Sequence, residues 1–186
     1  MNLEPVAYLN QILSLSTALQ ARLHSILKTR EIRKRTFLLK EGQVCNNIHF
    51  IEKGLLRIYY LKDDREICSG LLCEGGLAIA VKSFFKRQKS EEYMQALEDT
   101  VVHSITYEQL EQLYKDFPEF NIVSRILITE YYVMSEDRNF LLRKKTAHEK
   151  FQFFQERFGH LAARVPRKDI ASYLGVNLET LCRLEY

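Results

Sequence analysis

The sequence predicts an α+β fold in which a β-sandwich or barrel precedes a long helix and a small helical domain. Short apolar or alternating runs, separated by glycine and acidic turn signals, fill the segment from Glu31 to about Thr106. A seven-residue apolar repeat then extends from Pro118 to about Lys144. The stretch from Val165 to Tyr186 contains a helix, a glycine turn and the start of a second helix.

Length and composition are those of an ordinary globular protein. The 186 residues suffice for one large or two small domains, with 46% hydrophobic and 27% charged residues. No run approaches the roughly 18 apolar residues of a membrane helix, and "MNLEPVAYLNQILSLSTALQ" lacks the basic start of a signal peptide. We therefore expect a cytoplasmic protein with no membrane partner. The net charge of +3 permits nucleic-acid binding but does not argue for it.

The sequence offers no pattern for a metal, cofactor or catalytic site. Cys45, Cys68, Cys73 and Cys182 include no Cys-x-x-Cys pair, and no histidine pair has metal-ligand spacing. A phosphate-cradling glycine loop and a nucleophile–base pair are also missing. We expect no metal, no cofactor and no enzymatic activity, with free thiols in a reducing cytoplasm.

The helical segments are predicted from apolar periodicity and capping residues. An amphipathic helix is expected from Val6 to Leu27, with a break near "SLST", and a short helix in "YEQLEQLYKDF" that ends before Pro118. Thr146 and Glu149 form a capping-box pattern for a later helix. The apolar face of that later helix comprises Phe151, Phe154 and Phe158.

The stretch that begins at Pro118 predicts one long helix with a coiled-coil-like stripe. Two series of apolar residues recur every seven positions: Ile126, Val133 and Phe140, and Leu127, Met134 and Leu141. We expect this helix to mediate dimerisation, since other elements already cover the barrel. The alternative is one wide face that packs on its own domain.

The end of the chain has the residue order of a helix-turn-helix. Ile170, Ala171 and Leu174 define one face of a short helix, Gly175 suits its left-handed end, and Asn177 is a good N-cap for the next helix. A plain helical hairpin of a globular domain is the alternative. The candidate DNA contacts are Leu178, Glu179 and Arg183 at base edges, and Arg167, Asn177 and Thr180 at phosphates.

The order of these parts resembles the Crp/Fnr family of bacterial transcription regulators over nearly the whole chain. "LLKEGQVCNNIHFIEKGLLRIYYLKDDREI" is similar to that family's β-roll, with Gly42 and Gly54 in its turns, and "RKDIASYLGVNLETLCRLEY" is similar to its DNA-binding motif. The resemblance implies a double-stranded β-helix (jelly-roll-like) domain of the cyclic-nucleotide-binding type with flanking helices over 1–117. It also implies a dimerisation helix over 118–145 and a helix-turn-helix domain over 146–186.

The resemblance further implies a homodimer that regulates transcription by binding near-palindromic double-stranded DNA, with RNA polymerase and an unknown small-molecule effector as further partners. Its base-reading positions correspond to Leu178, Glu179 and Arg183. The first is commonly polar or basic, so Leu178 departs from the pattern. Leu178 either makes apolar contact, for instance with a thymine methyl, or packs at a partner surface.

The predicted ligand pocket departs further from the family pattern. Members that bind cyclic AMP carry Gly-Glu, and then Arg-Ser or Arg-Thr, where this chain has Ile79 and Ala80, and then Ser90 and Glu91. A carboxylate at the phosphate position weakens binding, so we expect no cyclic AMP binding. Ser83 completes the set of candidate pocket residues. The alternative is an anion site rescued by basic residues that otherwise form a solvated charged loop: Lys82, Lys86, Arg87 and Lys89.

A different function also fits the sequence. The chain would then be a β-roll sensor or protein-interaction module that has lost DNA reading, in keeping with Leu178 and the abrupt ending. "RLEY" ends before a recognition helix normally does, which leaves two alternatives: the sequence is truncated, or it is a degraded form of the motif.

Overall fold

A computed structural model describes residues 4–144 and 146–184 of the chain. Its β-domain, long helix and small helical domain confirm the predicted fold class. None of the helices in the described parts combines the length and apolar character needed to cross a membrane. The helices are α1 (Pro5–Ile12), α2 (Thr17–Ile26), α3 (Val81–Lys86), α4 (Tyr107–Asp116), α5 (Pro118–Lys144), α6 (Ala147–Phe158), α7 (Arg167–Leu174) and α8 (Leu178–Leu184). The strands are β1 (Lys28–Ile32), β2 (Phe37–Leu39), β3 (Asn47–Lys53), β4 (Leu56–Lys62), β5 (Arg65–Leu72), β6 (Leu77–Ala78), β7 (Tyr93–Ala96) and β8 (Thr100–Thr106).

The strands form two four-stranded antiparallel sheets, with the orders β1-β8-β3-β6 and β2-β7-β4-β5. Inward-facing apolar residues of both sheets share one core, in which Ile51, Leu56 and Val102 are fully buried. This core continues into α1, α2, α4 and the first turns of α5. We refer to these sheets with their flanking helices as the β-roll.

One of the predicted turn glycines meets a strict steric requirement. Gly54 has φ +107°, and a Cβ at this position would lie 2.7 Å from the Cα of Thr100. No side chain fits between these two backbones, so a glycine is needed where β3 turns into β4.

The sequence predicted a solvated charged loop around Lys82 and Lys86, and this prediction was wrong because the segment forms helix α3. Ser83 and Phe84 are buried, and the helix ends at Arg87 in the left-handed conformation (φ 52°). The guanidinium of Arg87 donates to the carbonyl of Cys45 at 2.9 Å and lies 4.5 Å from the ring centre of Tyr107. The helix has only six residues and no side-chain N-cap, so the sequence carries no start signal for it.

Helix α5 has the predicted bounds and three different environments. Its first turns bury Phe120 and Val123 against the β-roll, its middle is exposed, and near its end Leu141 is buried in the core of the C-terminal domain. The series with Leu127 and Leu141 therefore packs partly on its own chain, as the alternative for this helix predicted.

The C-terminal domain follows its predicted caps closely. Thr146 and Glu149 form both bonds of a capping box at the start of α6, and Phe154 is fully buried. Gly175 ends α7 with φ 63°. There the Val176 N–H donates to the carbonyl of Ala171 at 3.0 Å, which completes a Schellman motif.

Candidate functional site

Helix α8 presents the three predicted base-reading residues to solvent. The Oδ1 of Asn177 accepts a hydrogen bond from the Thr180 N–H at 2.7 Å, so the predicted N-cap forms. Leu181 is fully buried and fixes the inner face of the helix. The residues on the outside are Leu178, Glu179 and Arg183, all exposed.

The predicted phosphate contacts have different surroundings. Arg167 opens α7 and is exposed, with its Nη1 3.9 Å from the Sγ of Cys182. Thr180 is half-buried, and the carbonyl oxygen of the Asn177 side chain is occupied by the cap. Arg167, the amide nitrogen of Asn177 and the backbone at the start of α8 therefore offer hydrogen-bond donors to an anion.

Helix α7 is joined to the β-roll by buried ion pairs, and we call this contact the seam. The guanidinium of Arg57 on β4 lies 2.8 Å from Asp169 on α7 and 2.8 Å from Glu66 on β5. Burial alone would lower the pKa of Arg57, but the hydrogen bonds that it donates to Glu66 and the charge of Asp169 raise it overall. Asp169 keeps one buried oxygen, Oδ2, that has no partner within the described residues. The seam therefore contains one buried ion pair, Arg57–Asp169, whose guanidinium also pairs with the exposed carboxylate of Glu66.

A second cluster of ion pairs strengthens the seam from the segment before α7. Arg164 binds Glu74 at 2.8 Å and Glu98 at 2.7 Å. Burial raises the pKa of Glu74, but the hydrogen bonds from Arg164 and from backbone N–H groups, including that of Gly54, lower it to about 2. Sequence patterns did not identify the seam, because Arg57 and Asp169 are 112 residues apart.

A cavity of about 740 Å³ lies between the β-roll, α5 and the C-terminal domain. Four of the predicted pocket residues are among those that line it: Ile79, Ser83, Ser90 and Glu91. Ala80 does not line this cavity, because its side chain is buried in the β-roll core.

The polar groups of the predicted pocket residues are paired within the protein. The Ser83 hydroxyl donates to the carbonyl of Gln88 at 2.6 Å, and the Ser90 hydroxyl donates to the carbonyl of Glu92 at 3.1 Å. Glu91 lies 3.2 Å from the Nζ of Lys82. These contacts shape the loop between α3 and β7, which we call the loop end of the cavity.

The opposite wall, the helix end of the cavity, comes from residues that the sequence did not predict to lie at the pocket. Tyr131, Met134 and Arg138 of α5 line it, together with Phe158 of α6 and Tyr173 of α7. No local pattern places them at one cavity, because they come together only when the C-terminal domain packs against the β-roll.

The outer side of α5 is rich in exposed apolar side chains. Of the series predicted to mediate dimerisation, Val133 and Phe140 are about half exposed and Ile126 is half-buried. Ile128 and Tyr132 are exposed beside them.

Among the described residues, no group of three or more histidine, cysteine, aspartate or glutamate side chains could hold a metal ion.

Comparison with known proteins places these features in a family. The family model for the cyclic nucleotide-binding domain matches residues 29–117. The Fumarate and nitrate reduction regulatory protein of Yersinia pestis is 26% identical over 171 residues, covering 86% of this chain and 68% of that protein. The Transcriptional activator protein anr of Pseudomonas aeruginosa is 27% identical over 191 residues, covering 92% and 75%.

A solved structure shows the same fold. FixK2 from Bradyrhizobium japonicum matches with a TM-score of 0.71 at 24% identity, covering 86% of this chain and 83% of that chain. The two relatives named above are regulators by name, and neither is named as an enzyme. Residues 29–117 thus match the cyclic nucleotide-binding domain family, and over most of its length the chain is similar to transcriptional regulators of the Crp/Fnr type.

Proposed function

We propose that this protein is a homodimeric regulator that binds DNA in a sequence-specific manner and senses an effector through its β-roll. The observation that carries this proposal is the geometry of α8. Leu181 holds its inner face in the domain core, while Glu179 and Arg183, one helical turn apart, point away from the core. The names of the relatives support a role in transcription.

The residues of α8 suit recognition in the major groove. A glutamate accepts a hydrogen bond from the amino group of cytosine, and an arginine donates two hydrogen bonds to guanine. Leu178 is 46% exposed, so it is free to contact a thymine methyl. Arg167, Asn177 and Thr180 would fix the register on the phosphates without reading sequence.

The exposed side of α5 supports a dimer. Val133 and Phe140, with Ile128 and Tyr132 nearby, would be covered by the same helix of a second copy. A symmetric dimer that places one α8 in each half-site reads a near-palindrome with half-sites about 34 Å apart. We further infer a cytoplasmic protein that works with RNA polymerase.

DNA selection from a randomised library tests the proposal, followed by fluorescence anisotropy on the selected site. Arg183→Ala should weaken binding by about tenfold to a hundredfold, because a bidentate guanine contact is lost. The matched control is Arg33→Ala, which removes an exposed arginine of the β-roll and should change affinity by less than about twofold. If the wild type selects no DNA site, the proposal fails.

A second candidate function is a sensor or protein-interaction module without DNA reading. The exposure of Leu178 at a position that is commonly polar in the family favours it. A dimer that keeps its fold but selects no DNA would establish this alternative.

We also infer that cyclic AMP is not the effector. Glu91 and Glu92 both line the loop end of the cavity, where the cyclic phosphate would sit. Saturable binding of cyclic AMP at micromolar affinity in calorimetry would contradict this inference.

A further inference from the structure

The 740 Å³ cavity is bounded by both functional domains. The β-roll supplies an apolar wall that includes Leu71, Leu72 and Ile79, and the C-terminal domain supplies Phe158 and Tyr173. Tyr173 belongs to α7, the first helix of the helix-turn-helix. Any molecule in this cavity therefore contacts the DNA-binding domain directly as well as the β-roll.

Arg138 occupies the junction between these walls. Its Nη2 donates to the carbonyls of Cys68 on β5 and Tyr173 on α7, both at 3.3 Å, and its guanidinium carbon lies 4.7 Å from the ring centre of Tyr173. Its Nε is buried and has no acceptor among the described residues. A buried guanidinium N–H without an acceptor is costly, so a small shift of the Arg138 side chain that lets a ligand atom in the cavity accept from the guanidinium would be favoured.

The two ends of the cavity differ in charge. At the loop end Glu91 is paired with Lys82, and Glu92 is half-buried. Glu41 and Lys89 add one charge of each sign to the lining. Acidic residues therefore outnumber basic ones away from the helix end, which favours an anionic group on the ligand at Arg138 rather than at the loop.

We propose that the cavity binds a small organic anion whose carboxylate or phosphate is held by Arg138 between α5 and α7. Its body lies on the apolar wall formed by Leu71, Ile79 and Met134. Guanidinium groups pair preferentially with carboxylates and phosphates, and a cavity of this size suits a small metabolite. The proposal rests on the proposed function, for which it names the class of effector.

Arg138 also connects the ligand to the DNA-reading helix. The carbonyl of Tyr173 is among the last carbonyls of α7, just before the turn at Gly175 that leads into α8. A cation at a helix C-terminus stabilises those carbonyls. An anion bound to the guanidinium of Arg138 holds it between α5 and α7, so occupancy of the cavity changes how firmly α8 is oriented.

A matched series of probes tests the site on the full chain: hexanoate, hexyl phosphate, hexanamide and hexylamine, each titrated by calorimetry. We expect hexanoate or hexyl phosphate to bind with a dissociation constant below about 1 mM. Hexanamide should bind at least about tenfold more weakly, because the charge-assisted hydrogen bond is lost. Which of the two anions binds more tightly distinguishes a carboxylate from a phosphate effector. Absence of binding by both anions, or preference for hexylamine, overturns the proposal.

Two variants that each remove one positive charge from the cavity lining locate the anion. Arg138→Met should weaken anion binding by about tenfold or more, whereas Lys82→Met at the loop end should change it by less than about twofold. Arg138→Lys keeps the positive charge but lacks the coplanar N–H donors of a guanidinium. This variant should therefore recover only part of the anion affinity that Arg138→Met loses. Anion binding that is equal in wild type and Arg138→Met would place the ligand elsewhere, for instance in the neighbouring apolar cavity of about 480 Å³, and would overturn the proposal.

DNA binding separates this proposal from the proposed function. In anisotropy titrations on the selected DNA site, a saturating anion should change the affinity of the wild type by at least about threefold, and that of Arg138→Met by much less. A wild type that binds the anion but no DNA refutes the proposed function and leaves the anion site standing. A wild type that binds both independently refutes the coupling through Arg138.

Discussion

The β-roll and the seam are held together by different forces. The β-roll has one continuous apolar core that extends from α2 through both sheets to α5, with Leu19, Ile51 and Val123 fully buried. The seam has some apolar contact, from Leu55 and Leu71, but Arg57 and Arg164 lie at its centre. Apolar contacts are non-directional and tolerate small shifts, whereas guanidinium–carboxylate pairs require one geometry. The C-terminal domain is therefore positioned on the β-roll by contacts that are either made or broken.

The largest expected effect comes from breaking the seam at its buried pair. Arg57→Met leaves the Asp169 carboxylate buried without its partner and should lower the free energy of unfolding by about 3–5 kcal/mol. Urea unfolding monitored by circular dichroism measures it. The control is the double variant Arg57→Met with Asp169→Leu, which should recover most of the loss because no charge is left buried. If the single and double variants are equally unstable, the seam depends on shape rather than charge.

Cavities in the two apolar cores should reveal whether the regions unfold together. Leu174→Ala in the C-terminal domain and Leu113→Ala in the β-roll remove fully buried side chains, so each should cost about 2–5 kcal/mol. Hydrogen exchange read out by mass spectrometry follows each region separately. We expect Leu174→Ala to raise exchange mainly in α6–α8. Equal acceleration of exchange in α2 and β8 would show that the two regions form one cooperative unit.

Acid should weaken the β-roll before the seam. Burial, with a further effect of Arg30, lowers the pKa of His49 from 6.5 to about 4. The folded protein binds this proton less readily than the unfolded chain does. The contribution of neutral His49 to the free energy of unfolding is therefore complete above pH 6.5. It falls as the pH drops towards 4, by at most about 3 kcal/mol. The pKa of Glu74 is lowered to about 2 from 4.5, so its contribution is lost only below pH 4.5.

Unfolding followed at a series of pH values tests this order. His49→Gln keeps a hydrogen-bonding side chain next to the Ser104 hydroxyl, which lies 2.7 Å from the His49 Nδ1, but it has no titrating group. Its stability should stay nearly flat between pH 6.5 and 5. If the free energy of unfolding of His49→Gln falls with pH as much as that of the wild type, another group causes the acid sensitivity.

The smallest expected effect concerns the turn before α8. Gly175→Ala places a Cβ at φ 63° and 3.2 Å from the Cδ2 of Leu142, so it should cost about 1 kcal/mol and weaken DNA binding through a tilted α8. Thermal unfolding and anisotropy measure the two effects. The control is Gly159→Ala, at a residue with helical φ −55°, which should be neutral or slightly stabilising. Unchanged DNA affinity in Gly175→Ala would show that the turn does not set the orientation of α8.

Local signals predicted the parts of the molecule that depend on neighbours in sequence. Periodicity and capping residues indicated α5, the box at Thr146 and the turn at Gly175, because each of these features is fixed within a few residues. Helix α3 was missed, since its six residues are held by tertiary burial of Phe84 rather than by a cap. Arg57 and Arg138 were missed for a related reason. Their partners lie far away along the chain, and the local sequence around a single strand or helix residue does not indicate such partners.

The continuity of α5 has a mechanical consequence. Its first turns belong to the β-roll and Leu141 belongs to the C-terminal core, with no break between them. A helix advances about 1.5 Å and turns about 100° per residue, so one added residue in its exposed middle would rotate the C-terminal domain by about a quarter-turn relative to the β-roll. Seven added residues would return it to within about 20° of its original direction but displace it by about 10 Å. The number of residues in the exposed middle of α5 therefore determines the direction in which α8 faces relative to the β-roll.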